Sequence, residues 1–193
     1  MEYPLQLTFK LLAVAPQIYV RDARGTLMLY VKQKAFKLKE AVTVFADEAQ
    51  SRSLYTIAAD RIIDWSARYD IKSTDGRVIG AVKREGMKSL WRSHYEVTAA
   101  EGRGFTIREA NPWVKVADSL LGQLPIVGIF TGYFFHPAYL VQRAGTTVFR
   151  VQKQAALWEG RYSITREAQA TPQEEELASL AVIMMLLLER TRG

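Results

Sequence analysis

Cysteine is absent from this chain. That removes disulfides, thiolate catalysis and cysteine-ligated zinc or iron–sulfur centres together, and it fits a reducing, cytoplasmic setting. Histidine is nearly absent too, with only His94 and His136 present. His94, between Arg92 and Glu96, falls on the polar face of a strand and reads as a solvated side chain. His136 precedes Pro137 and reads as positioned by that turn. With no third ligand at suitable spacing, no metal site is expected. Nucleophile elbows, phosphate-cradling glycine loops and dinucleotide fingerprints are also missing. Carboxylates are plentiful, but nothing selects a pair for acid–base work. The chain therefore reads as a binding module without cofactor, not as an enzyme.

No basic stretch followed by an apolar run opens the chain, so no secretory signal is expected. No segment is low in complexity, and 49% hydrophobic with 24% charged residues excludes wholesale disorder. A length of 193 residues suits one domain, 1–193, with a sizeable core. The net charge of +6 permits attraction to phosphates or an anionic membrane surface. The basic residues are spread along the chain, with a mild cluster at Lys32, Lys34, Lys37 and Lys39. A nucleic-acid protein would show a denser basic stripe with aromatics among it, so nucleic acid is not an expected partner.

What is present is a repeat. Ile18-Tyr19-Val20 is followed by a turn at Asp22–Gly25 and then Leu27–Lys32. Tyr69-Asp70-Ile71 is followed by Thr74-Asp75-Gly76 and Val78–Lys83. Tyr139-Leu140-Val141 is followed by Arg143-Ala144-Gly145 and Val148–Val151. A valine stands six residues after each glycine: Val31, Val82 and Val151. Each copy reads as a hairpin, with glycine supplying the positive φ that a tight turn between twisted strands needs. The copies continue alike, as Leu38-x-x-x-Val42-x-Val44, Trp91-x-x-x-Tyr95-x-Val97 and Trp158-x-x-x-Tyr162-x-Ile164. Even spacing keeps each triplet on one strand face. Further strands are expected at Leu5–Val14, Leu54–Ala58, Arg61–Ser66 and Phe105–Arg108. About a dozen short strands make the chain antiparallel all-β.

The last segment breaks this pattern. Thr171-Pro172-Gln173-Glu174 carries a cap, a first-turn proline and a capping-box glutamate, so a helix of about 17–19 residues is expected from there. Glu175 and Glu176 extend an acidic first turn, and Arg190 and Arg192 suit the far end of the dipole. Leu177–Leu188 is apolar around its whole circumference. Leaving its nine large side chains in water would forgo roughly 18 kcal/mol at ~2 kcal/mol each. The run has twelve residues, whereas a bilayer span needs about 20. Enclosure by protein is the expectation, and a ring of strands around the helix also removes sheet edges.

The Tyr-x-x-Asp-x-x-Gly turn at 19–25, Tyr69-Asp70-Ile71 with Asp75-Gly76 and Ile79, the stretch Phe130-Thr131-Gly132-Tyr133-Phe134-Phe135-His136-Pro137 with Tyr139, and the apolar last helix together resemble the LURP-one-related family. That family stands within the tubby C-terminal-like group, which also holds the phospholipid scramblases. The resemblance covers nearly the whole chain and implies a twelve-stranded antiparallel barrel threaded by its C-terminal helix. Tubby domains bind phosphoinositides and scramblases act at membranes, so it implies a module at anionic lipid, cytoplasmic or peripheral at a membrane. The chain lacks the scramblases' acidic calcium-binding stretch, proline-rich N-terminal region and palmitoylated cysteine. The resemblance carries over no catalytic residue.

Gly128 and Gly132 fit the small-residue pattern of membrane helix dimers. Pro125 and the glycines nearby break any membrane-length helix, so β structure and turns are expected there, with one short helical turn at Ala117–Leu121. The candidate ligand-binding residues are basic. With Val31 facing inward, Lys32 and Lys34 face outward, and Lys83 takes the slot equivalent to Lys32. Such a row suits a phosphorylated head group, and it equally suits protection of an edge or plain solubility. A protein-interaction role without small-molecule ligand is the alternative, and it predicts an exposed apolar patch.

Overall fold

The computed structural model describes residues 1–10, 16–32, 41–60, 67–85, 94–110, 138–156 and 159–190. It contains twelve strands: β1 (Leu5–Lys10), β2 (Gln17–Arg21), β3 (Leu27–Lys32), β4 (Val42–Phe45), β5 (Ser53–Ala59), β6 (Arg68–Ser73), β7 (Val78–Arg84), β8 (His94–Ala99), β9 (Phe105–Glu109), β10 (Ala138–Arg143), β11 (Thr146–Gln154) and β12 (Glu159–Arg166). Each pairs antiparallel with its sequence neighbour, and β1 pairs with β12 to close the barrel. The expected Arg61–Ser66 strand, the Ala117–Leu121 turn, Gly128, Gly132 and His136 lie outside the described residues, as do Leu38, Trp91 and Trp158.

The repeat is a four-stranded unit. β2–β5 and β6–β9 are complete copies, whereas β10–β12 supplies three strands because the chain then turns into a helix. β1 sits between β12 and β2 and takes the missing fourth place. Closure in this way leaves no unpaired edge. The three hairpins match in detail. Each has a register shift at the same repeat position, at Val20/Arg21, Ile71/Lys72 and Val141/Gln142. Each turns on a positive-φ glycine, at 81° for Gly25, 88° for Gly76 and 84° for Gly145. Val31, Val82 and Val151 are all buried in the core.

The helix α1 (Pro172–Arg190) fills the barrel. Its start is a capping box: the Thr171 amide donates to Glu174 Oε2 at 2.9 Å, and the Glu174 amide donates to Thr171 Oγ1 at 3.2 Å. Every residue from Leu177 to Leu187 is buried. The helix packs closely on β7 at Gly80. A Cβ there would lie 2.3 Å from the Thr98 carbonyl oxygen and 2.9 Å from Leu177 Cδ1. Glycine is therefore what lets α1 seat against the sheet at this point.

Three arginines fasten the first helical turn. Arg143 at the end of β10 reaches Glu174 at 2.6 Å, Arg166 at the end of β12 reaches Glu175 at 2.7 Å, and Arg77 in the β6–β7 turn reaches Glu176 at 3.3 Å. Glu175 is buried and also accepts from the Met1 ammonium at 3.1 Å. The acidic turn thus serves the helix dipole and an ionic collar at once.

Candidate functional site

The barrel interior is occupied by the chain's own helix, so binding falls to the outer wall and the two ends. At the end where α1 starts, a recess of about 320 Å³ lies beside the first helical turn. Arg77, Val78, Arg103, Glu176 and Leu177 line part of it. Its Arg77 is already spent on Glu176.

At the opposite end stand the two described candidate lysines. Lys32 closes β3, across from Gln17 on β2, and is exposed. Lys83 lies near the end of β7, between Arg68 on β6 and Glu96 on β8, and is exposed as well. Neither makes an ion pair among the described residues. β3 and β7 run in the same direction, which places both lysines at one end of the barrel. They do not share a patch, because β4, β5 and β6 stand between their strands. Four steps of about 4.8 Å separate them by roughly 19 Å along the wall. Lys34 lies outside the described residues. His94 on β8 is partly exposed, with its Nε2 3.6 Å from a Glu85 carboxylate oxygen.

The inner rim of this end is where polar groups gather. Tyr95 on β8 donates from its hydroxyl to the Glu189 carboxylate in the last turn of α1. Arg84, across from Tyr95 on β7, lies 4.0 Å from the same carboxylate, with its guanidinium 5.9 Å from the Tyr95 ring centre. Burial first, and then Glu189, push the Tyr95, Tyr139 and Tyr162 hydroxyls above the ordinary tyrosine range. Arg190 turns the other way, 4.3 Å over the Phe9 ring on β1. Its Nη1 is buried without a hydrogen-bond partner among the described residues, and burial lowers its pKa. A buried donor left unpaired costs about 1–3 kcal/mol, and more when charged.

Sequence reasoning passed over this rim, although a signal was present. The slots of Tyr69 and Tyr95 in the second unit carry tyrosine again in the third, at Tyr139 and Tyr162. The first unit has Ile18 and Val42 there. A hydroxyl at an otherwise apolar inward slot marks a place where the barrel must meet something polar.

A family model described as LURP-one-related matches residues 27–165, from the start of β3 into β12. The chain belongs to the LURP-one-related family. Among curated proteins and solved structures, none matches it. The barrel around a central helix agrees with the tubby-like fold implied by that membership. Among the described residues of this LURP-one-related domain, no helix is long and apolar enough to cross a membrane. No group of three or more histidine or acidic side chains among them is placed to hold a metal ion.

Proposed function

We propose that this LURP-one-related domain is a non-catalytic module that binds anionic phospholipid head groups on its outer surface, peripherally at a cytoplasmic membrane face. The observation that carries the reading is the occupied lumen. A barrel filled by its own helix has no interior for a ligand, and Lys32 and Lys83 stand exposed outside it, without an ion pair among the described residues. The resemblance to lipid-binding tubby domains and membrane-acting scramblases supports the same ligand class. Lying roughly 19 Å apart, the two lysines suit a lipid surface, where each meets its own head group, better than one small ligand.

Near an anionic bilayer each basic side chain contributes ~1 kcal/mol. Losing both lysines therefore weakens binding roughly 30-fold, and reversing their charge weakens it further. The test is co-sedimentation with neutral and anionic vesicles at low and moderate salt, comparing the native chain with Lys32→Glu/Lys83→Glu. The expected result is salt-sensitive capture by anionic vesicles only, lost in the double variant. Equal indifference to both vesicle types discards the lipid reading in favour of a protein partner. Val78, 51% exposed at the recess beside the first helical turn, is the feature that favours such a partner.

A further inference from the structure

The pseudo-threefold repeat allows two equivalent places on the inner rim to be compared. In the second unit, Arg84 on β7 stands across from Tyr95 on β8. In the third, Lys153 on β11 stands across from Tyr162 on β12. Arg84 and Lys153 occupy the same repeat slot, two residues beyond Val82 and Val151. Both places pair an inward cation with an inward tyrosine. The second-unit place is filled by an oxyanion, since Tyr95 donates to Glu189 and Arg84 lies 4.0 Å from it.

The third-unit place has an equivalent pair of donors. Beyond the effect of burial, Glu189 is close enough to raise the Tyr162 hydroxyl, but among the described residues no ion pair or hydrogen bond joins it to Lys153 or Tyr162. Among the described residues Lys153 has no ion pair and the Tyr162 hydroxyl makes no hydrogen bond. Arg190 adds a second cation. It lies over Phe9, which is in register with Gly160 on β12, and its buried Nη1 has no acceptor among the described residues. Gly160 adds no side chain to the wall at this point. A Cβ there would meet only Phe9 Cβ and Tyr162 Cε2, both at 3.4 Å, among the described residues.

We propose that Lys153, Tyr162 and Arg190 form a site for one phosphate monoester group at this end of the barrel. The second-unit place holds a single carboxylate charge against one arginine. Two cations match the two charges of a phosphate monoester, whose three oxygens can accept from guanidinium, ammonium and phenol together. Nearby Glu189 does not compete for these donors, because Arg84 and Tyr95 already engage it. The site is separate from the outer lysines and does not rest on the surface reading. Its phosphate belongs either to a lipid head group or to a soluble phosphorylated compound.

The experiment is calorimetric titration of the full chain with inorganic phosphate and with glycerol 3-phosphate, against chloride at matched ionic strength. Saturable one-to-one binding is expected, weakened about tenfold or more in Lys153→Gln and in Arg190→Gln, and unchanged in Lys32→Glu/Lys83→Glu. Lys153 is only partly buried, so its variant keeps the test intact if Arg190→Gln does not fold. Vesicles containing phosphatidate separate the sources. Capture that Lys153→Gln weakens assigns a head group, whereas glycerol 3-phosphate binding without capture assigns a soluble monoester. No saturable binding beyond chloride, or binding undiminished in Lys153→Gln, overturns the site.

Discussion

The Tyr95 hydroxyl donates a hydrogen bond to the Glu189 carboxylate, tying the second unit of the barrel to the last turn of the helix it encloses. An acidic side chain near the C-terminal end of a helix opposes the dipole. Here its charge is met by the phenol and by Arg84 on the facing strand. The opposite end of α1 is held by three arginines and the Met1 ammonium, so the helix is fastened ionically at both mouths and by apolar contact between them.

Tyr95→Phe removes one of the two groups that meet the Glu189 charge. A hydrogen bond to a charged group contributes about 1.5–3 kcal/mol, and urea unfolding should show a loss of that order. Tyr162→Phe removes a hydroxyl with no partner among the described residues, and without added phosphate it should change stability little. An equal loss in both variants would contradict the different roles assigned to the two tyrosines.

The helix is the core, and truncating it should show as much. Leu180 is fully buried, so Leu180→Ala is expected to destabilise by about 2–5 kcal/mol in equilibrium unfolding. Gly80→Val should do worse, since even its Cβ has no room against the Thr98 carbonyl. Removing residues 171–193 should leave an apolar-lined shell that is insoluble. A soluble, cooperatively folding truncation refutes the architecture.

Acid should loosen the collar at the start of α1. Burial alone would raise the Glu174 carboxyl, but Arg143 and the Thr171 amide outweigh it and hold it below the ordinary carboxylate value. A carboxylate lowered on folding contributes stability above its unfolded pKa, and that contribution is lost as pH falls through the folded one. Glu174→Gln keeps an oxygen for the cap but drops the charge. Its stability should lie below native at neutral pH and converge with it as pH falls below the ordinary carboxylate range.

Alkali should unfold the protein through its tyrosines. Burial and Glu176 push Tyr55 up to about 12, and burial raises Tyr3, Tyr69, Tyr95, Tyr139 and Tyr162 as well. A tyrosine raised on folding contributes stability in full below its unfolded pKa of about 10, and loses it as pH rises through the folded value. Phenolate absorbance above about pH 10 should therefore rise together with loss of the β dichroism signal. Ionisation of nearly all tyrosines near pH 10 with the fold intact contradicts their burial.

The sequence by itself determined what is local. The hairpin turns follow from Gly25, Gly76 and Gly145, because a positive φ is needed within a few bonds of where it is written. The start of α1 follows from Thr171 and Glu174, three residues apart, and its burial from a run with no polar face. Repetition of valine at one offset announced the barrel wall, since alternation needs only the neighbouring residue. Tertiary structure alone decided the rest. That β1 completes the third unit depends on pairing with β12, near the other end of the chain. Pairing of each strand with its sequence neighbour put three strands between Lys32 and Lys83, although their repeat slots are identical. Tyr95 finds Glu189, and Arg77, Arg143 and Arg166 find the acidic turn, across separations that no spacing rule reaches. Such pairs form only when a closed wall brings its two rims to the ends of one enclosed helix.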